Sequence, residues 1–122
     1  MNGLASVEAF SITISDAPSA VHVCLVGDAN MNAVDELGQA LGVVHGRALA
    51  AGATEVVVDL RQLEFMNSAC FKKIVTWITR VEEVEASARY RIRFLSNATI
   101  HWQRRSLHAL QMFAIDLVAV DV

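Results

Sequence analysis

The hydrophobic period changes repeatedly along this chain, and that switching limits the folds open to it. Residues 55–60, EVVVDL, form a short apolar run of the kind that a strand covered on both faces carries. Phe71, Ile74, Val75, Ile78 and Val81 then recur at the spacing of a buried helix stripe. Tyr90, Ile92 and Phe94 alternate with Arg91 and Arg93, which returns the period to that of a strand. Asn97 or Thr99 starts a third helix that reaches about Leu110, and residues 115–120 make a last strand.

Upstream, Phe10, Ile12 and Ile14 alternate with Ser11, Thr13 and Ser15, and DAPSA is a turn into a second strand over residues 21–26. These two predict an antiparallel pair at a sheet edge. Gly27-Asp28 breaks the chain, and Asn30 or Asn32 caps a helix that runs to about Ala51. Its apolar face is Val34, Leu37, Leu41, Val44 and Ala48. Gly38, Gly42 and Gly46 form a stripe of small residues beside that face, where each glycine costs about 1 kcal/mol of helix propensity relative to alanine. A backbone lying close to the stripe would account for it, either the domain's own sheet or helix or a second copy of the chain in a homodimer. The order of elements predicts a single α/β domain over residues 1–122. Its sheet is mixed and mostly parallel, with an antiparallel edge strand and three to four helices.

The charge balance narrows the function. With 10 Lys and Arg against 13 Asp and Glu, the chain lacks the basic surface that neutralising nucleic-acid phosphates requires. No run of about 18 apolar residues is present to span a membrane, and MNGLASVEAF, with no basic flank and no long apolar run, is not expected to be a signal peptide. Cys24 and Cys70 have no CxxC or dense spacing, so they are expected as reduced thiols of a cytoplasmic protein. His22, His45, His101 and His108 are not spaced as metal ligands, and Arg104 and Arg105 beside the last two give the third helix a local basic character. The glycines form neither a GxxxxGK[ST] loop nor a GxGxxG turn, so no nucleotide cofactor is expected.

Chemistry concentrates in FMNSACFKK, residues 65–73, at the carboxyl end of a central strand, where sites of parallel sheets gather. Ser68 or Asn67 there can be a helix N-cap worth about 1 kcal/mol. Equally, a phosphate on Ser68 would meet unpaired first-turn N–H groups and the positive end of the helix dipole, with Lys72 about one turn on. The same donors would suit a small anionic ligand held without any modification. Lys72 and Lys73, placed in the first turn, hint at such an anion or are simply solvated. Cys70 is either a small buried hydrophobe or a thiol activated by the helix start, although no His or acid stands nearby in sequence to serve as its base.

VVVDLRQLEFMNSACF resembles the signature of STAS domains, above all the bacterial anti-anti-sigma factors, and LVGDANMNAVDEL resembles their strand-end segment and first helix. The likeness in element order covers about residues 7–120. It implies that Ser68 is the phosphoacceptor of an anti-sigma factor that is also a serine kinase of the GHKL ATPase type. A phosphatase would complete the cycle. It further implies a partner-binding surface of Gly27, Asp28, Asn30, Asn67, Ser68, Ala69, Cys70 and Lys72, with no catalytic residue of the chain's own. The sequence departs from the family pattern in three places: Asn67 replaces the family's Asp, Ala69 removes a second hydroxyl, and Cys70, Phe71 and Lys72 replace Gly-Leu-Gly.

Overall fold

The structure is a computed structural model that describes the backbone of residues 3–7 and all of residues 9–122. Six strands form one sheet in sequence order: β1 (Gly3–Val7), β2 (Phe10–Ala17), β3 (Ala20–Ala29), β4 (Glu55–Met66), β5 (Arg91–Leu95) and β6 (Val118–Asp121). The pairings β1–β2 and β2–β3 are antiparallel, and those from β3 to β6 are parallel. Three helices make the crossovers: α1 (Val34–Ala50), α2 (Ser68–Glu82) and α3 (His101–Phe113). A single 3-10 turn, Met31–Ala33, leads into α1.

Burial alternates along the strands, so the helices cover one face. Phe10, Ile12 and Ile14 of β2, Val21, Val23 and Leu25 of β3, Val56, Val58 and Leu60 of β4, and Ile92 and Phe94 of β5 join one core with Leu37, Leu41, Ile74, Ile78 and Leu107. The other face is polar: Arg93 on β5 pairs with Glu55 at 2.6 Å and with Asp121 at 3.4 Å. The apolar run at 55–60 is therefore not a strand covered by helices on both sides. Val57 looks outward and is screened by its cross-strand neighbours His22 and Arg93, whose long chains lie over it.

Several expected boundaries move. The edge is β1, which places the expected edge pair β2–β3 one strand inside. The last strand starts at Val118, because Ala114 closes α3 and its carbonyl accepts the N–H of both Leu117 and Val118. Asn97 and Thr99 serve their own turn, with Asn97 Oδ1 accepting from the Thr99 N–H at 2.9 Å, and α3 begins at His101 with no side-chain cap. The glycine stripe does not bring a backbone close. A Cβ on Gly38 would lie 3.3 Å from the Lys73 side chain, whereas at Gly42 and Gly46 nothing lies within 4 Å. Among the described residues no helix is long and apolar enough to cross a membrane.

α1, α2 and β5 meet at a buried polar knot. Trp77 is almost wholly enclosed and donates its indole N–H to the Tyr90 hydroxyl at 2.8 Å. Tyr90 in turn lies 2.7 Å from His45 Nδ1. His45 Nδ1 is the one acceptor within reach of the buried Tyr90 proton among the described residues, which assigns a neutral imidazole protonated on Nε2. Burial, and the nearby Arg80 charge after it, hold His45 below its ordinary value of 6.5, while burial pushes the Tyr90 hydroxyl up to about 12. The folded chain thus binds the His45 proton less readily than the unfolded chain does. The resulting stability is complete above about pH 6.5 and is lost as pH falls through the lower folded value. Denaturant midpoints measured between about pH 7.5 and 5 should fall for the wild type. For His45→Gln the slope should be flatter, and an unchanged slope would remove His45 as its source.

Candidate partner-binding site at Ser68

Two loops at the carboxyl ends of β3 and β4 build this site, and a bulged strand aims the first of them. The β3–β4 register shifts between Cys24 and Val26 and again between Gly27 and Asp28. Gly27 has φ +98°, and a Cβ there would lie 2.0 Å from the Ala9 carbonyl oxygen. That oxygen accepts the Asp28 N–H at 2.8 Å, so the chain turns tightly against the β1–β2 connection. Asn30 then caps the 3-10 turn, its Oδ1 accepting from the Asn32 N–H at 2.9 Å.

The second loop is tied to the first. The Asn67 N–H donates to the Ala29 carbonyl at 2.9 Å, and the Cys70 thiol reaches the Asn30 carbonyl at 3.5 Å. Asn67 is the N-cap of α2: its Oδ1 accepts the Cys70 N–H at 2.8 Å, and its carbonyl accepts the Phe71 N–H at 3.0 Å. Of the two capping readings, Asn67 takes the role and Ser68 does not. Ser68 is the first residue of α2, exposed, with its hydroxyl engaged by no side chain or backbone group among the described residues. Its N–H and that of Ala69 belong to the helix's unpaired first turn.

The other expected site residues divide by exposure. Lys72 is exposed; Asp28, Asn30, Asn67 and Ala69 are partly exposed; Gly27 serves the bulge. Cys70 departs from the expected contact surface, because its side chain is fully buried and holds the loop from beneath. Burial also pushes its thiol up from the ordinary value, which removes the thiolate that a nucleophile needs. Lys72 and Lys73 stand in the second turn, since α2 starts at Ser68, and Lys73 leans across Gly38 of α1.

The two loop segments also expose apolar side chains that the expected contact surface left out: Met31 is 71% and Phe65 48% exposed. Phe65 stands opposite Asp28 in the β3–β4 register, beside the loop that carries Met31. An isolated methionine between two asparagines was the available signal. Behind the site, Asp59 grips Arg61 through Nε and Nη2 at 2.9 and 2.8 Å, which holds its carboxyl below the usual carboxylate value. Among the described residues no group of three or more His, Cys, Asp or Glu side chains is placed to hold a metal ion.

This arrangement of sheet and helices is the STAS-type fold of the anti-sigma factor antagonists. An anti-sigma factor antagonist from Mycobacterium paratuberculosis superposes with a TM-score of 0.65 at 19% identity, over 90% of this chain and 86% of that one. The Bacillus cell fate determinant SpoIIAA in its phosphorylated form gives 0.60 at 17% identity, over 91% of both chains. Its unphosphorylated form gives 0.58 at 16% identity, over 91% of this chain and 88% of that one. No family model matches the sequence, and no curated protein matches it. At these identities the likeness establishes the fold.

Proposed function

We propose that the chain is a phosphorylation-switchable protein-interaction domain of bacterial signalling, acting in the cytoplasm as an anti-sigma factor antagonist. It binds an anti-sigma factor that is also a serine kinase and receives a phosphoryl group on Ser68. The observation that carries the reading is the division of labour at the start of α2. Asn67 supplies the cap, so the exposed Ser68 hydroxyl is left for another protein. The fold shared with SpoIIAA, known in phosphorylated and unphosphorylated forms, supports it.

The physical consequences follow from charge. A phosphoryl group on Ser68 would sit at the positive end of the α2 dipole, so it should not unfold the domain. It would place about -1.5 to -2 charges on a surface whose two loops also expose Met31 and Phe65, and so weaken a docked partner by desolvation and repulsion. The chain supplies no catalytic group in this scheme: it is the substrate of phosphoryl transfer. A small-anion site at Ser68 has less support, since Ser68 lines neither the groove between α1 and α2 nor the one beside α3.

The test is mass spectrometry of protein purified from its native host under several growth conditions. Phosphate is expected on Ser68 in the wild type and absent in Ser68→Ala. Ser68→Asp should keep the wild-type denaturation midpoint yet bind the kinase partner at least about tenfold more weakly, the size of one lost charge-sensitive contact. Phosphate never found on Ser68, together with binding indifferent to Ser68→Asp, would leave a constitutive interaction domain.

A further inference from the structure

The edge of the sheet opposite β1 is built to be extended. β6 lies at the end of the strand order, and nothing pairs with its outer side among the described residues. In a parallel ladder each residue directs its N–H and C=O to one side, and successive residues alternate. Leu117 and Asp121 give their carbonyls to the Ile92 and Ser96 N–H groups at 3.0 and 2.8 Å, so they face β5. Val120 and Val122 therefore turn their backbone groups outward. β6 reads VAVD and carries no lysine or proline.

A groove of about 760 Å³ runs along this edge beneath α3. Val120, Val122 and Leu107 give it an apolar floor, and Arg104, Arg105 and His108 rim it. No acidic side chain lines it, and no ion pair or hydrogen bond within the described residues engages any of those three basic groups. The Arg104, Arg105 and His108 side chains are all exposed, on a chain whose net charge is -3. The basic stripe is thus a local feature, placed over the β6 edge, whose outer backbone groups are open.

We infer that this edge receives an extended acidic segment of a partner protein, which adds to β6 as a seventh strand with its carboxylates under Arg104, Arg105 and His108. Main-chain bonds at Val120 and Val122 would give the register; because side chains alternate between the two faces, the carboxylates would turn toward α3 and the apolar residues toward the opposite face of the sheet. β6 is short, four residues, so the main-chain bonds are few and the basic rim has to supply much of the affinity. The same charges select against a second copy of this chain. Antiparallel pairing of two β6 strands about a two-fold axis would set both α3 helices on one face, with their basic stripes toward the same seam. This surface is separate from Ser68, which lies at the end of β4, two strands away.

The probe is a capped peptide of alternating valine and glutamate, long enough to lie along Val118–Asp121, with a valine–lysine peptide as control. Binding of the glutamate peptide should slow amide exchange at Val120 and Val122 at least about tenfold. The lysine peptide should not bind. Arg104→Glu combined with His108→Glu should lower affinity at least about tenfold, as should Val120→Pro, a residue that an edge strand accepts on its open side. Should Val120→Pro fail to fold, the exchange measurement on the wild type and the charge reversal still decide. Equal binding of both peptides, or unchanged exchange at Val120 and Val122, would overturn the inference. So would wild-type dimers that Val120→Pro dissolves, because the edge would then belong to a second copy.

Discussion

Replacing Gly27 by alanine is expected to lower stability by about 3 kcal/mol, the upper end for a residue forced into a disfavoured backbone region. Two effects act together. At φ +98° an L side chain is strained whatever space surrounds it, and here the added Cβ would fall 2.0 Å from a backbone oxygen that cannot rotate away. Relief would require moving Ala9, whose carbonyl holds the Asp28 N–H. Gly52 is the control, because its φ is +62° and nothing lies within 4 Å of its would-be Cβ. Gly52→Ala should cost only about 1–2 kcal/mol, the left-handed penalty alone. Urea denaturation of the two variants separates strain from overlap. Equal losses would mean that the bulge yields, and that the loop carrying Asn30 and Met31 is less firmly aimed than its hydrogen bonds suggest. A loss confined to Gly27→Ala would mark this glycine as the residue that aims one half of the Ser68 site.

What could be read in advance, and what could not, follows from how local each signal is. The alternations in β2, β3 and β5 and the stripes of α1 and α2 are contiguous patterns, and the structure keeps them: Ile74 and Ile78 are 2% and 0% exposed. β1 carries GLASV, too small and mixed to register as a strand, and it is ordered by pairing with β2. β4 continues to Met66, beyond the expected end at Leu60, because its second half pairs with the end of β3 after an irregular step that no periodicity announces. The site was legible as a place and only partly as a mechanism. FMNSACF marked the helix start, but Asn67 and Ser68 are both good caps, and only the coordinates choose between them. Cys70 could not be assigned inside or outside from sequence, since a residue in the first turn of a helix can face either way. The cost of the glycine stripe at Gly42 and Gly46 has no packing explanation within the described residues.

Gln103 shows most clearly what sequence could not reveal, and its replacement by leucine is the other large effect expected. On α3 it reads as an ordinary surface residue beside Arg104 and Arg105. In the fold it is fully buried, with its amide directed at a length of β4 that pairs with β3 but has no strand on its β5 side. β5 pairs with β4 only as far as Asp59, so the carbonyls beyond that point lack ladder partners. Gln103 Nε2 donates to the Leu60 carbonyl at 2.5 Å and to that of Leu63 at 3.1 Å, and its Oε1 accepts the Asn97 N–H at 2.8 Å. Trp102 adds its indole N–H to the Leu63 carbonyl at 3.2 Å. One side chain therefore closes the frayed half of β4, the segment that carries Phe65 and leads to Ser68. Gln103→Leu preserves volume but leaves the Leu60 carbonyl and the Asn97 N–H without their partner, each about 1–3 kcal/mol, so a total of roughly 2–6 kcal/mol is expected. Gln103→Glu is the sharper comparison: it keeps the acceptor for Asn97 but turns an oxygen toward two carbonyls, and should destabilise at least as much near neutral pH, with some recovery in acid as the carboxyl takes up a proton and donates again. Denaturant midpoints at both pH values test this. A leucine variant as stable as the wild type would mean that α3 covers β4 by packing alone. The long strand would then not need a polar clasp to hold the Ser68 loop in place.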